Sequence, residues 1–285
     1  MGPEGTRKPG DHKTAAAKEA ETLDGLAALE PIEAPAGGFR NLIGKENGEW
    51  AAGPSLLAHA VIWILIVAVL SAVIAFVRGE MEPGYTPKDI NDAGALMFFV
   101  MGSVASVIAV VAKTQGAIIG EKQLGTAAWV LSKPASRRAF LLAKLAVHFR
   151  WLLMVTLLVP AVVFYGLVTA VSTLPPPPLL FVGGLAILAL GLLFYLALSL
   201  LLGTAFESRG PLAGTVFGFM VAGFMIANYA PWLTAAFPWL FFQSGFNLVA
   251  QERIPAHNLI SIPATALWIG LFVLLALRRF ERAEL

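Results

Sequence analysis

The sequence contains no cysteine and few charged residues. Without cysteine there is no disulfide, no thiolate metal site and no cysteine nucleophile. Charged residues make up 13% of the 285 residues, about half of the share usual in soluble domains. The four histidines are scattered, and none forms the i, i+4 pair of a helical metal site. We therefore expect no metal or other cofactor on this chain.

Apolar residues are abundant: they make up 58% of the chain, and the mean hydropathy is +0.75. A helix needs about 20 apolar residues to cross a hydrocarbon core of about 30 Å. Six uncharged apolar runs have that length: 55–77, 93–112, 151–171, 179–202, 211–230 and 259–277. They lack the alternating polarity of barrel strands. The sequence therefore predicts an all-α integral membrane protein with six transmembrane helices, embedded in a lipid bilayer.

The basic residues lie mainly on one side of this six-span arrangement. All but three of the 20 lysines and arginines fall in the two termini and the loops that share their side; the exceptions are Arg78, Lys88 and Arg253. Because lysine and arginine accumulate in cytoplasmic loops, this bias predicts cytoplasmic termini in a multi-pass protein of the plasma membrane. The net charge of +2 gives no reason to expect a nucleic-acid partner.

The polar N-terminal segment is interpreted as a separate region. Residues 1–38 are rich in Ala, Glu, Lys, Gly and Pro, a composition typical of a disordered tail. Residues 39–285 then form the six-span domain. Segment 39–50 mixes apolar and charged residues just before the first span, which predicts an elbow helix along the cytoplasmic surface.

The predicted spans contain almost no ionisable side chains that could bind an ion or catalyse a reaction. His59 is the only acid, base or histidine within the six runs, whereas ion-coupled carriers usually need buried ionisable groups. The closest approach to a nucleotide-binding loop, 38–45, has the wrong glycine spacing and lacks the following Ser or Thr. The chain is therefore not expected to be an enzyme, and any ATP must bind to another subunit.

The segment between spans two and three has a helical pattern. Apolar residues recur at i, i+3, i+4 and i+7 from Leu124 to Leu131, which predicts a short amphipathic helix. Lys133-Pro134 would end it, and Ser136 would cap a new helix that leads into span three. The residues alone fit either a lipid-facing basic loop or a helix that docks a partner.

Within this segment, several residues form a pattern that resembles the signature of ABC-2 type transporter permeases. They are Glu121, Gly125, Thr126, Leu131, Ser132, Lys133, Pro134, Ser136, Arg137, Arg138 and Lys144. The closest resemblance is to the branch that includes the maturation permease of nitrous oxide reductase. It implies a type V exporter-like fold in which this segment is the coupling helix, received by a separate ABC ATP-binding subunit. ATP and Mg would then be bound by that partner.

Small residues recur along span five: Gly210, Gly214, Gly218 and Ala222. Such a stripe lets two helices approach closely, either within one bundle or between a permease and a second copy or related permease. Farther on, 231–258 combines aromatic residues with Pro231 and Pro238, which predicts short interfacial or re-entrant helices.

The interpretation is therefore the permease subunit of an ATP-driven exporter, with the cargo left open. Two alternatives remain. A secondary transporter would work from an ion gradient without ATP, and a non-transporting membrane scaffold would assemble with partners without changing their ATPase activity.

Overall fold

The computed structural model describes residues 37–52, 55–81, 84–121 and 136–282. Within these ranges the chain is helical and contains no strand. Six helices are long and apolar enough to cross a membrane. The prediction of an all-α chain with six potential membrane-spanning helices is thus confirmed for the described residues, by the length and composition of the helices.

Eight helices are labelled here in chain order. They are α1 (Gly37–Ala51), α2 (Leu56–Met81), α3 (Pro87–Gly120), α4 (Arg137–Ser172), α5 (Pro178–Ala205), α6 (Arg209–Tyr229), α7 (Phe241–Val249) and α8 (Ala256–Arg282). The six spans are α2 to α6 and α8. Two short 3-10 turns, Pro231–Ala236 and Pro238–Leu240, connect α6 to α7, in the segment where short helices were predicted.

The helices are longer than the uncharged runs that predicted them. The largest difference is in α4, which begins at Arg137, whereas the third run begins at residue 151. Ser136 caps this helix as predicted, since its hydroxyl accepts a hydrogen bond from the Ala139 amide at 3.0 Å. The uncharged run begins only after Arg150, and Lys144 lies farther back in the same helix. A transmembrane helix can include such charges near its end where they are paired or reach water.

Helix α5 lies at the centre of the bundle. It packs against α3, α7 and α8, and 61% of its apolar stretch is buried. Helices α6 and α8 are peripheral, with only 17% buried in each. Phe99 shows how close the central packing is, because a Cβ at Gly184 would lie 2.5 Å from its ring and a Cβ at Gly245 would lie 2.6 Å from it. Two glycines are thus required where α5 and α7 enclose this ring.

Three spans contain a wider π-helical turn. These turns are Ile64–Val69 in α2, Gln115–Gly120 in α3 and Leu153–Leu158 in α4. Such turns interrupt the regular hydrogen-bond ladder and occur frequently at functional sites. The one in α3 is the last turn before segment 122–135, so the ladder is altered where the predicted coupling segment begins.

Candidate functional site: a buried charge cluster

Helix α1 lies against α4 at the predicted cytoplasmic end of the bundle. Leu42 of α1 packs with Phe140 and Ala143 of α4 and with Phe280 of α8 in a small apolar cluster. The rings of Phe140 and Phe280 are stacked, with 5.6 Å between their centroids. This contact places α1 beside the first turns of α4.

One helical turn further along α1, five charged groups meet. We call Lys45, Glu46, Glu49, Glu121 and Lys144 the charge cluster. The Lys144 ammonium lies 2.7 Å from Glu46 Oε1 and 3.2 Å from Glu121 Oε1. The Lys45 ammonium lies 2.8 Å from the same Glu121 oxygen and 3.2 Å from Glu49. The cluster therefore joins α1, the end of α3 and the first turns of α4.

Burial differs strongly across the charge cluster. The side chains of Lys144 and Glu46 are 1% and 2% exposed, whereas that of Lys45 is 36% exposed. Burial by itself lowers the pKa of Lys45, but the hydrogen bond that its ammonium donates to Glu121 and the charges of the neighbouring carboxylates outweigh burial and hold that pKa above its ordinary value. Because a buried ammonium and carboxylate offset each other's loss of hydration only while they are in contact, the pair of Lys144 and Glu46 favours an arrangement in which α1 and α4 stay together.

The charge cluster is not arranged for metal binding. Oxygens of Glu46, Glu49 and Glu121 come within 4.8 Å of one another, a spacing that could hold a cation. However, the two lysine ammonium groups already lie against these carboxylates at 2.7–3.2 Å. A metal ion would have to displace them and leave a buried lysine charge without its partner. We therefore interpret the charge cluster as a structural clamp, meaning a set of ion pairs that holds α1, the end of α3 and α4 together.

Both flanks of segment 122–135 are fastened to the bundle. Glu121, before the segment, belongs to the charge cluster. Arg137, after it, donates hydrogen bonds to the backbone oxygens of Phe280 and Glu281 at 3.3 and 2.9 Å, and Arg138 pairs with the Glu281 carboxylate. Free carbonyls at a helix C-terminus favour such a cation. The segment thus leaves from a contact with α1 and returns to a contact with α8.

An aromatic group adjoins the charge cluster. The Trp50 ring stacks on Trp151 at 6.2 Å and makes edge contacts with His148 at 5.8 Å and His59 at 6.4 Å. His148 Nδ1 lies 2.9 Å from the Lys144 backbone oxygen. Two histidines that are far apart in the sequence therefore meet the same indole, as side chains that pack rather than as a pair of metal ligands.

The predicted coupling residues fall into two groups. Gly125, Thr126, Leu131, Ser132, Lys133 and Pro134 lie outside the described residues. The others are described, and each has a contact within the chain: Glu121 with the two lysines, Ser136 as a helix cap, Arg137 and Arg138 with the end of α8, and Lys144 with Glu46. Their contact with a partner stays a prediction.

The predicted small-residue stripe lies on the open face of α6. A Cβ built at Gly210, Gly214 or Gly218 would meet no described atom within 4 Å, and Ala222 is exposed. Among the described residues the stripe therefore does not serve packing within this bundle. By contrast, a Cβ at Gly102 in α3 would lie 3.2 Å from Leu188 of α5.

Sequence reasoning did not identify Lys45 or Glu46 as site residues, and it included Lys144 only as the last residue of the permease-like pattern. Lys144 offered one signal, because it stands in a stretch that is otherwise mainly apolar from Ala139 to Val147. Its partner Glu46 precedes it by 98 residues. No spacing rule connects residues that far apart, and only the packing of α1 on α4 brings them together.

The chain belongs to a protein family that is identified by its match over most of the sequence. Residues 60–285 match the family described as protein of unknown function, DUF2705. The match includes Glu121 and Lys144 but begins after Lys45 and Glu46. No curated protein matches the chain.

Proposed function

We propose that this member of the DUF2705 family is the permease subunit of an ABC-2 type exporter, driven by ATP that a separate subunit hydrolyses. The observation that carries the proposal is the anchoring of segment 122–135, with Glu121 held by the charge cluster and Arg137 held by α8. A partner that moves this segment would move α3, α4 and α8 together with α1. This is the mechanical property that a coupling segment requires.

The charge cluster supports transmission because it resists separation of its helices. Pulling α1 from α4 would separate the buried Lys144 ammonium from the Glu46 carboxylate. Removing one partner of such a buried pair costs about 3–5 kcal/mol of stability. Displacement of segment 122–135 is therefore passed to the spans rather than absorbed at their ends. The ATP-binding site belongs to the separate subunit of the proposed complex, and no catalytic residue is proposed in this chain.

The open face of α6 supports the pairing of two permeases. Its small residues would allow a helix of a second copy or a related permease to approach closely. A leucine at Gly218 should therefore weaken assembly. Gly166 in α4 is a matched control, because it is also exposed and a Cβ there would meet no described atom within 4 Å. Equal assembly of Gly218→Leu and Gly166→Leu, measured by mass photometry in detergent, would remove α6 from the proposed interface.

The coupling test compares two bulky substitutions in the reconstituted complex. The ATP-binding subunit is first identified among proteins that co-purify from native membranes, by its Walker motif, and is then co-expressed with the permease. Gly125→Trp should abolish permease-stimulated ATP hydrolysis, whereas Gly166→Trp should leave it unchanged. Full stimulation by both variants, or the lack of any ATP-binding partner, would contradict the proposal. Glu121→Lys is a poorer probe because it also breaks the contacts with Lys45 and Lys144.

One observation favours a secondary transporter as the second candidate. Lys144 and His148 are buried in α4, and buried ionisable groups serve ion-coupled carriers. Yet Lys144 lies seven residues from the start of α4, about 10 Å along the helix, and its charge is paired with Glu46. Gradient-driven transport by the chain alone in proteoliposomes without ATP would establish this alternative.

A further inference from the structure

Helices α2 and α3 pack closely at one end and separate at the other. In the predicted outer half they touch, and a Cβ at Gly94 of α3 would lie 2.9 Å from the Ala75 Cβ of α2. Toward the predicted cytoplasmic end, the first part of α2 packs against α4 instead. The separation leaves a groove of about 340 Å³ between α2 and α3.

The groove is apolar and follows the helix axes. Its walls include Ile62 and Ile66 of α2 and Met101 and Ile108 of α3, with His59 as the one titratable group. His59 and Ile66 are seven steps apart along α2, and Met101 and Ile108 are seven steps apart along α3, so each wall of the groove is about 10 Å long. Ile62, Ile66 and Ile108 are between 41% and 48% exposed. In a bilayer this shape and chemistry suit a hydrocarbon chain lying parallel to the helices.

Two cations lie over the Trp50 and Trp151 rings, which adjoin the His59 end of the groove. The Lys113 ammonium, just over one turn beyond Ile108, sits 4.5 Å from the centroid of the Trp50 ring, which in turn contacts His59. Arg150 lies 5.0 Å from the Trp151 ring. Within the described ranges, neither Lys113 nor Arg150 has a carboxylate within salt-bridge distance. The nearby Glu49 pairs with Lys45 at 3.2 Å.

We propose that this groove binds an acyl chain of an anionic phospholipid, whose phosphate contacts Lys113. An ammonium group has three donors, and its position over an indole leaves donors available for a phosphate oxygen. Basic sites between helices at the cytoplasmic surface attract anionic headgroups, and the apolar groove retains the chain of the same molecule. The two features fit one ligand because the Trp50 ring, over which the Lys113 ammonium lies, also contacts His59 in the wall of the groove. This inference does not depend on the exporter proposal.

The test uses the full chain in detergent, supplied with phosphatidylglycerol or phosphatidylcholine of the same acyl composition. Bound lipid is counted by native mass spectrometry. Wild-type protein should retain phosphatidylglycerol preferentially, and Lys113→Gln should reduce that preference about fivefold. Lys113→Arg should preserve it. Lys88→Gln is the matched control, since Lys88 lies at the opposite end of α3 and pairs with Asp92.

A second pair of variants tests the groove itself. Ile66→Trp should fill it and reduce retention of phosphatidylglycerol, whereas Leu65→Trp, on an exposed neighbouring position, should not. The proposal is overturned if wild type retains both lipids equally, or if Lys113→Gln keeps the full preference. It is also overturned if Ile66→Trp leaves lipid retention intact; if that variant also dissociates an oligomer, a second copy of the chain occupies the groove instead.

Discussion

Replacing Lys144 by methionine tests whether the charge cluster is a clamp. Methionine has a similar length but removes the ammonium group that lies 2.7 Å from Glu46 and 3.2 Å from Glu121. Glu121 keeps Lys45 at 2.8 Å, whereas Glu46 keeps only the more distant Lys45 at 3.7 Å. Because the Glu46 side chain is 2% exposed, water cannot readily replace the lost partner.

The expected loss in the free energy of unfolding is about 3–5 kcal/mol, the usual cost of leaving one charge of a buried pair uncompensated. The double variant Glu46→Gln with Lys144→Met removes both charges. It should recover most of that loss, since a neutral replacement of a buried pair is often close to neutral in stability. Lys88→Met is the surface control: its pair with Asp92 is exposed and should contribute less than about 1 kcal/mol.

Stability is measured by equilibrium chemical unfolding in mixed micelles, with tryptophan fluorescence as the signal. The reasoning fails if Lys144→Met costs no more than the surface control. It also fails if the double variant is as unstable as the single one, because the loss would then come from packing of the lysine stem rather than from an unpaired carboxylate.

Three further predictions concern packing, charge and topology. Gly223→Ala should cost about 1–3 kcal/mol of unfolding free energy in micelles, because the new Cβ would lie 2.1 Å from the buried Trp239 ring; wild-type stability would contradict this contact. Lys45 has a raised pKa, so its stabilising effect should persist below its ordinary value of 10.5 and decline at higher pH. The difference in unfolding free energy between the wild type and Lys45→Met should therefore become smaller above that pH; a difference that becomes larger would contradict a raised pKa for Lys45. Cysteine at exposed Ser136 should react only with cytoplasmic reagent and cysteine at exposed Pro175 only with external reagent; labelling from one face would refute the six-span topology.

The spans were predictable because lipid imposes a simple requirement. A helix satisfies its own backbone hydrogen bonds, so about 20 apolar residues suffice to indicate a span. The start of α4 was also readable, since a serine followed by a helical pattern satisfies the free amides of the first turn. These signals are local, and each lies within a few residues of the feature it predicts.

The candidate site required information that is not local. Glu46 and Lys144 are distant in sequence, and each alone resembles an ordinary charge near a membrane surface. Likewise, Gly102 of α3 and Gly218 of α6 are both glycines within an apolar run, yet Gly102 packs against α5 whereas Gly218 faces away from the described bundle. Sequence composition determined that this chain is helical and suited to a membrane. Only the tertiary structure decided which charges meet and which small residues stay open, because both depend on how the helices are rotated and packed.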